Sequence, residues 1–144
     1  MAAVLEKQTR RWTYEQYSRL DDDQRYEIID GELLLAPAPD TWHQSWNGEL
    51  FALLRAHVLQ HKLGRVFMAP VDVVLDPQNT VQPDIVFVAI ACLPIIQRPA
   101  IFGGPELVVE LVSPSTVRRD RYDKKALYAR FGVREYWMRK RRKS

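Results

Sequence analysis

Three carboxylates stand inside runs of apolar residues, where an ionised acid is costly unless it is paired or binds a cation. Glu110 is flanked by Leu107, Val108, Val109, Leu111 and Val112. Asp84 is followed by Ile85, Val86, Phe87 and Val88, and Asp72 sits between Val71 and Val73. Any one of them alone fits a strand-end carboxylate that reaches solvent or pairs with an arginine. Two on neighbouring strands, with a basic segment directly after Glu110, point instead to a metal site at Asp84 and Glu110. Such oxygen ligands suit Mg2+ or Mn2+, which take one or two carboxylates and complete the shell with water and phosphate oxygens. The chemistry would be phosphodiester hydrolysis, with the ion polarising the phosphate and lowering the pKa of an attacking water.

The segment after Glu110 supplies a cation. Asp120, Lys124 and Tyr128 are spaced i, i+4, i+8 on one helical face, flanked by Leu127 and Phe131, so that face is expected to turn towards the sheet. A lysine there would hold the water or stabilise charge on the phosphate. An ordinary Asp120–Lys124 surface pair explains the same spacing, and spacing alone does not choose between Lys124 and Lys125. His43 and Gln44 open a long helix, a position from which a side chain can meet phosphate; capping or packing accounts for His43 as well. His57 and His61 are i, i+4 but have no third ligand in sight, so they read as surface residues. The four tryptophans read as core and rim. No Gly-rich phosphate loop, GxSxG elbow or HExxH helix occurs.

Positioning these groups requires a mixed α/β scaffold. Residues 13–20 read as a short helix capped by Thr13, and 25–36 as a hairpin turning at Asp30-Gly31. Residues 42–61 repeat Trp46, Leu50, Leu53, Leu54 and Val58 at helical spacing, with Gly64 just beyond the end. Residues 65–75 and 81–89 read as two strands joined through DPQNT, and 91–105 as a loop or short helix punctuated by Pro94 and Pro99. The near-continuous apolar run at 106–112 implies a strand covered on both faces. A helix over 116–131, closed by Gly132, and a strand from 133 to 138 complete one mixed central β-sheet flanked by helices.

At 144 residues, 47% apolar and 27% charged, the chain suits a single globular domain over 1–138. No apolar run reaches membrane-spanning length, and no signal-peptide h-region opens the chain. A lone Cys92 excludes an internal disulfide and a cysteine zinc cluster; a reducing cytoplasm is the expected location. The net charge of +3 comes from Arg139-Lys140-Arg141-Arg142-Lys143. Without those five, 16 of the 21 basic residues face 18 acidic ones, a net of −2. Residues 139–144 therefore read as a disordered basic tail, able to hold nucleic acid through phosphates.

The blocks RYEIIDGEL, APAPDTWHQ, VQPDIVFV, ELVVELVSPST and DRYDKKALYARFGVREYWM resemble the Uma2 family of predicted endonucleases, within the PD-(D/E)xK superfamily. The resemblance runs from about residue 13 to 138. It implies a restriction-endonuclease-like α/β (α+β) fold and a Mg2+-dependent endonuclease acting on DNA. Pro83-Asp84 corresponds to the PD motif, with Asp84 a metal ligand, and Glu110 to the acidic residue of the second motif. The usual lysine would fall at Val112; in this family it lies on the following helix, which implies Lys124. Glu27 matches a recurrent acidic position that completes the site, and His43-Gln44 a recurrent pair, with Lys125 a further substrate contact. Family members continue past the EYW strand, so this chain is expected to end short of them. Nucleases that cut both strands often pair, which leaves a homodimer open. An inactive nucleic-acid-binding or interaction protein on a nuclease-like fold is the alternative.

Overall fold

The computed structural model describes residues 11–36, 38–112 and 124–140. Helix α1 (Tyr14–Ser18) starts from a reciprocal cap: the Thr13 hydroxyl accepts the Gln16 amide and the Gln16 side chain accepts the Thr13 amide. Strands β1 (Tyr26–Ile29) and β2 (Glu32–Leu35) form the expected hairpin. Asp30 (φ 48°) and Gly31 (φ 81°) both take left-handed conformations there, which matches the twist of the flanking strands.

Helix α2 (Thr41–His61) is capped by Asp40, whose carboxylate accepts the His43 amide at 2.8 Å. Its packing departs from the expected stripe. Trp46, Leu50, Phe51 and Leu54 meet the sheet, while Leu53 is 71% exposed. The 3.6-residue repeat permits either neighbour, and the sheet's position selects Phe51. The helix also ends differently. Lys62 takes the left-handed cap (φ 52°), and Gly64 opens β3 (Gly64–Met68). A Cβ on Gly64 would lie 2.0 Å from the Val88 carbonyl, so this glycine serves close strand approach.

The two strands expected at 65–75 and 81–89 are each divided between two sheets. After β3 the chain passes Pro70 and enters β4 (Val73–Asp76); Pro77 and Gln78 turn it into β5 (Asn79–Val81); after Pro83 it enters β6 (Ile85–Ala89). Pro70 and Pro83 have no amide hydrogen to give a ladder, and the chain changes sheet at each. A 3-10 helix (Ile90–Ile95), β7 (Ile101–Phe102), β8 (Leu107–Val112), α3 (Lys124–Arg130) and β9 (Glu135–Lys140) follow. The single central sheet is thus two mixed sheets, ordered β2-β1-β5-β4-β7 and β3-β6-β8-β9. Of the helix expected at 116–131, residues 116–123, Asp120 among them, lie outside the described residues. Arg139 and Lys140, read as the start of a basic tail, are the last residues of β9, paired with Leu111 and Val112. Residues 141–144 lie outside the described residues.

β8 explains the core. Leu107 and Val109 pack with Ile85 against α2. On the other face Val108 joins Val86, Val88, Val73, Val81 and Ile101 with Leu127 and Tyr128 of α3. Each fully buried aliphatic side chain contributes about 1.5–3 kcal/mol. All six β8 residues are buried, as the continuous apolar run requires. By alternation Glu110 shares the face of Val108 and Val112, between the sheets and against α3. Among the described residues, no helix is long and apolar enough to cross a membrane.

Candidate active site

Glu110 is 4% exposed and Lys124 3%. The α3 start brings the Lys124 ammonium to 2.6 Å from Glu110 Oε1. The same ammonium donates to Glu27 Oε2 at 2.9 Å, and Glu27, on β1 of the other sheet, is also buried at 3%. Two carboxylates from different sheets therefore share one lysine across the core. The Gln82 main-chain amide donates to Glu27 Oε2 at 2.8 Å. Tyr128 donates to Glu110 Oε1 at 3.2 Å and Tyr136 to Oε2 at 3.1 Å. Burial, then the negative charges of Glu110 and Glu27, push the Tyr128 hydroxyl well above its usual pKa, so it stays a donor.

Asp84 stands one residue before β6. The pairing of β6 with β8 ends at Ile85 opposite Val109, and the Asp84 main-chain amide donates to the Val109 carbonyl at 3.1 Å, so Asp84 sits at the end of this ladder. Asp84 Oδ2 accepts the Leu111 amide at 2.6 Å. Oδ1 lies 2.8 Å from His43 Nε2, on the first turn of α2. That hydrogen bond is the main cause of a raised His43 pKa, with partial burial opposing it. One turn on, Asn47 Nδ2 donates to the Asp84 main-chain carbonyl at 3.3 Å. His43 Nδ1 and Asn47 Oδ1 are buried and have no hydrogen-bond partner among the described residues.

A second polar cluster adjoins Glu27. Gln82 Nε2 donates to Asp72 Oδ1 at 2.7 Å, Arg25 Nε donates to Gln82 Oε1 at 2.8 Å, and the Tyr17 hydroxyl contacts Asp72 Oδ1 at 3.4 Å. Burial raises the Asp72 pKa, against the lowering effect of the Gln82 and Tyr17 hydrogen bonds. Burial and the Asp72 charge push Tyr17 up to about 12.

Of the residues singled out in the sequence, Glu27, Glu110 and Lys124 meet directly, and Asp84 meets His43 and the Leu111 amide. Gln44 and Lys125 are exposed. Between the two lysines the fold turns Lys124 inward. His57 and His61 are exposed, with rings 4.5 Å apart. Sequence reasoning missed Asn47, Gln82, Arg25 and Tyr136. Asn47 had a readable signal, one turn after His43; Tyr136 depends on strand pairing and had none. Among the described residues, no three His, Cys, Asp or Glu side chains converge into a ready-made metal cage.

Three comparisons with known proteins bear on this geometry. The model of the Uma2 family, described as "Putative restriction endonuclease", matches residues 14–144. No curated protein matches the chain. A crystal structure described as "a putative nuclease belonging to DUF820 from Anabaena variabilis ATCC 29413" shares the fold, with a TM-score of 0.75 at 17% identity. The likeness covers 89% of this chain and 73% of that one.

Proposed function

The chain belongs to the Uma2 family, and from that premise we propose that it is a Mg2+- or Mn2+-dependent endonuclease hydrolysing phosphodiester bonds of DNA. The observation that carries this reading is the shared ammonium of Lys124 between Glu27 and Glu110, with the Asp84 carboxylate held on the amide of Leu111, the residue after Glu110. The donor chemistry fits the ion. Asp84 and Glu110 are hard carboxylates on adjacent strands, and Mg2+ asks no more than one or two of these, taking the rest of its shell from water and phosphate. Asp84 and Glu110 would hold the metal, which when bound supplies charge stabilisation on the phosphate and a more acidic water.

The chain's own residues do the rest. The Leu111 amide and His43 orient the Asp84 carboxylate. Tyr128 and Tyr136 fix both oxygens of Glu110. The Lys124 ammonium, 2.6 Å from Glu110 Oε1, would stabilise an anion developing beside that carboxylate. The Gln82 amide and Lys124 hold Glu27 against the same point.

The test is nicking of supercoiled DNA with Mg2+ or Mn2+. The wild type should cut, and Asp84→Ala should not. No cleavage of double- or single-stranded DNA or RNA with either ion refutes the enzyme reading. It would favour the second reading, an inactive nucleic-acid-binding module. The observation on that side is that Lys124 is already engaged by two carboxylates.

A further inference from the structure

The two oxygens of Asp84 are held by partners of different kinds. Oδ2 accepts the Leu111 main-chain amide at 2.6 Å, a partner fixed in β8. Oδ1 faces a side chain, His43 Nε2, at 2.8 Å. We propose that His43 is itself a metal ligand: its Nε2 and Asp84 Oδ1 together hold one first-row transition ion, so that the site prefers Mn2+ to Mg2+. This rests on the metal-dependent nuclease reading and narrows the ion that reading requires.

The first support is place. An ion takes the carboxylate oxygen whose partner can join it, which is Oδ1. His43 stands on the first turn of α2, with its own amide fixed by Asp40 at 2.8 Å, and its side chain is 22% exposed. An ion arriving at Oδ1 therefore meets Nε2. A neutral imidazole can release the proton there by taking one at Nδ1, which leaves a lone pair facing the ion. Adjacent ligands of an octahedral ion, each at about 2.1 Å, lie roughly 3 Å apart. The 2.8 Å between these two atoms is close to that spacing, so ligation asks little movement of either side chain.

The second support is a pair of buried atoms that the metal-free arrangement leaves unmatched. His43 Nδ1 and Asn47 Oδ1 have no hydrogen-bond partner among the described residues, and Asn47 is 5% exposed. They belong to residues i and i+4 of α2, which lie on one helical face. With Nε2–H given to Asp84, the neutral ring leaves Nδ1 an acceptor, and Asn47 Oδ1 is an acceptor too. Moving the proton to Nδ1 turns this mismatch into a donor and an acceptor one turn apart, able to pair directly or through one water. A histidine that ligates through one nitrogen commonly gives its other N–H to such an oxygen. The Asn47 amide group is already fixed, because its Nδ2 donates to the Asp84 main-chain carbonyl. One shift of a proton thus frees Nε2 for a metal and satisfies both buried atoms.

The third support is the chemistry of the donor pair. Mg2+ takes oxygen ligands and gains little from a nitrogen. First-row transition ions accept imidazole, and a mixed nitrogen and oxygen site holds them more tightly. Among the described residues no three acidic, histidine or cysteine side chains converge as a cage, so water and substrate phosphate complete the shell. In a site with so few protein ligands, one imidazole carries weight in the choice of ion.

The experiment is pulsed EPR of Mn2+ on the full chain at about pH 8, where a histidine is mostly neutral, with the histidine ring nitrogens isotopically labelled. The chain has three histidines, His43, His57 and His61. In the double variant His57→Gln, His61→Gln, which alters exposed residues only, any histidine coupling to Mn2+ comes from His43. That coupling should be present in the wild type and in the double variant, and absent in His43→Gln. By calorimetric titration His43→Gln should weaken Mn2+ by about tenfold or more and Mg2+ by less, so the preference narrows. Bound Mn2+ without histidine coupling in the double variant overturns the inference and leaves the nuclease reading to its own cleavage test. Coupling that survives in folded His43→Gln overturns it too, as does an equal loss of both ions in that variant. No bound Mn2+ at millimolar ion overturns the inference and counts against the metal-dependent reading as well.

Discussion

Replacing Lys124 by Met tests how the charged cluster is held. Lys124, Glu27 and Glu110 are 3%, 3% and 4% exposed, and the ammonium lies 2.9 and 2.6 Å from the two carboxylates. Met keeps much of the stem's volume and removes the charge, leaving two buried acids without the cation they share. Breaking one buried ion pair costs about 3–5 kcal/mol. A single domain has roughly 5–15 kcal/mol in all, so the variant should lose about a fifth or more of its stability. At about 3 °C per kcal/mol for a chain of this length, the melting temperature should fall by roughly 10–15 °C. Urea unfolding followed by circular dichroism, with chelator in the buffer, measures this directly. The triple variant Glu27→Gln, Glu110→Gln, Lys124→Met buries no charge and should regain most of the loss. A Lys124→Met protein within about 0.5 kcal/mol of wild type would refute the reasoning, because two buried carboxylates that share a cation cannot lose it that cheaply. The same arithmetic governs activity assays: a Lys124 variant must be shown folded at the assay temperature before lost cleavage is ascribed to chemistry.

Three further predictions concern stability. The raised His43 pKa means that its pair with Asp84 contributes fully below the usual value of about 6.5 and loses that contribution as pH rises through the folded pKa. In metal-free protein, wild type should therefore exceed His43→Gln most at acidic pH, and a gap that widens with rising pH would contradict the assignment. Tyr128→Phe keeps the ring and removes the donor 3.2 Å from Glu110; it should cost about 1–3 kcal/mol in the same unfolding assay, and a neutral result would show that Glu110 does not need it. Gly64→Ala places a Cβ 2.0 Å from the Val88 carbonyl at φ 149°, so it should lose about 2–3 kcal/mol or more, whereas Gly48→Ala, with nothing within 4 Å, should not destabilise.

Local chemistry made much of this protein legible from its residues. Asp30-Gly31 prescribes the hairpin, Thr13 and Gln16 the cap of α1, and the run around Glu110 a strand buried on both faces, because each depends on neighbours a few positions away. The oddity of Asp84 and Glu110 is also local: a carboxylate in an apolar strand needs a partner wherever the strand lies. Resemblance to the family named Lys124; in the fold Leu127 and Tyr128 turn that face of α3 inward and bury it. Spacing could not supply the partners. Glu27 meets Lys124 across 97 positions, Gln82 reaches Glu27 across 55, and Tyr136 reaches Glu110 only because β9 lies beside β8. Nor could it show that Pro70 and Pro83 would send one apparent pair of strands into two sheets, placing Asp72 with Gln82 and Tyr17 and apart from Glu110. Residue type and periodicity determine which groups must leave water and which face they leave by; what they meet there depends on pairings between distant segments, and those exist only once the chain has closed on itself.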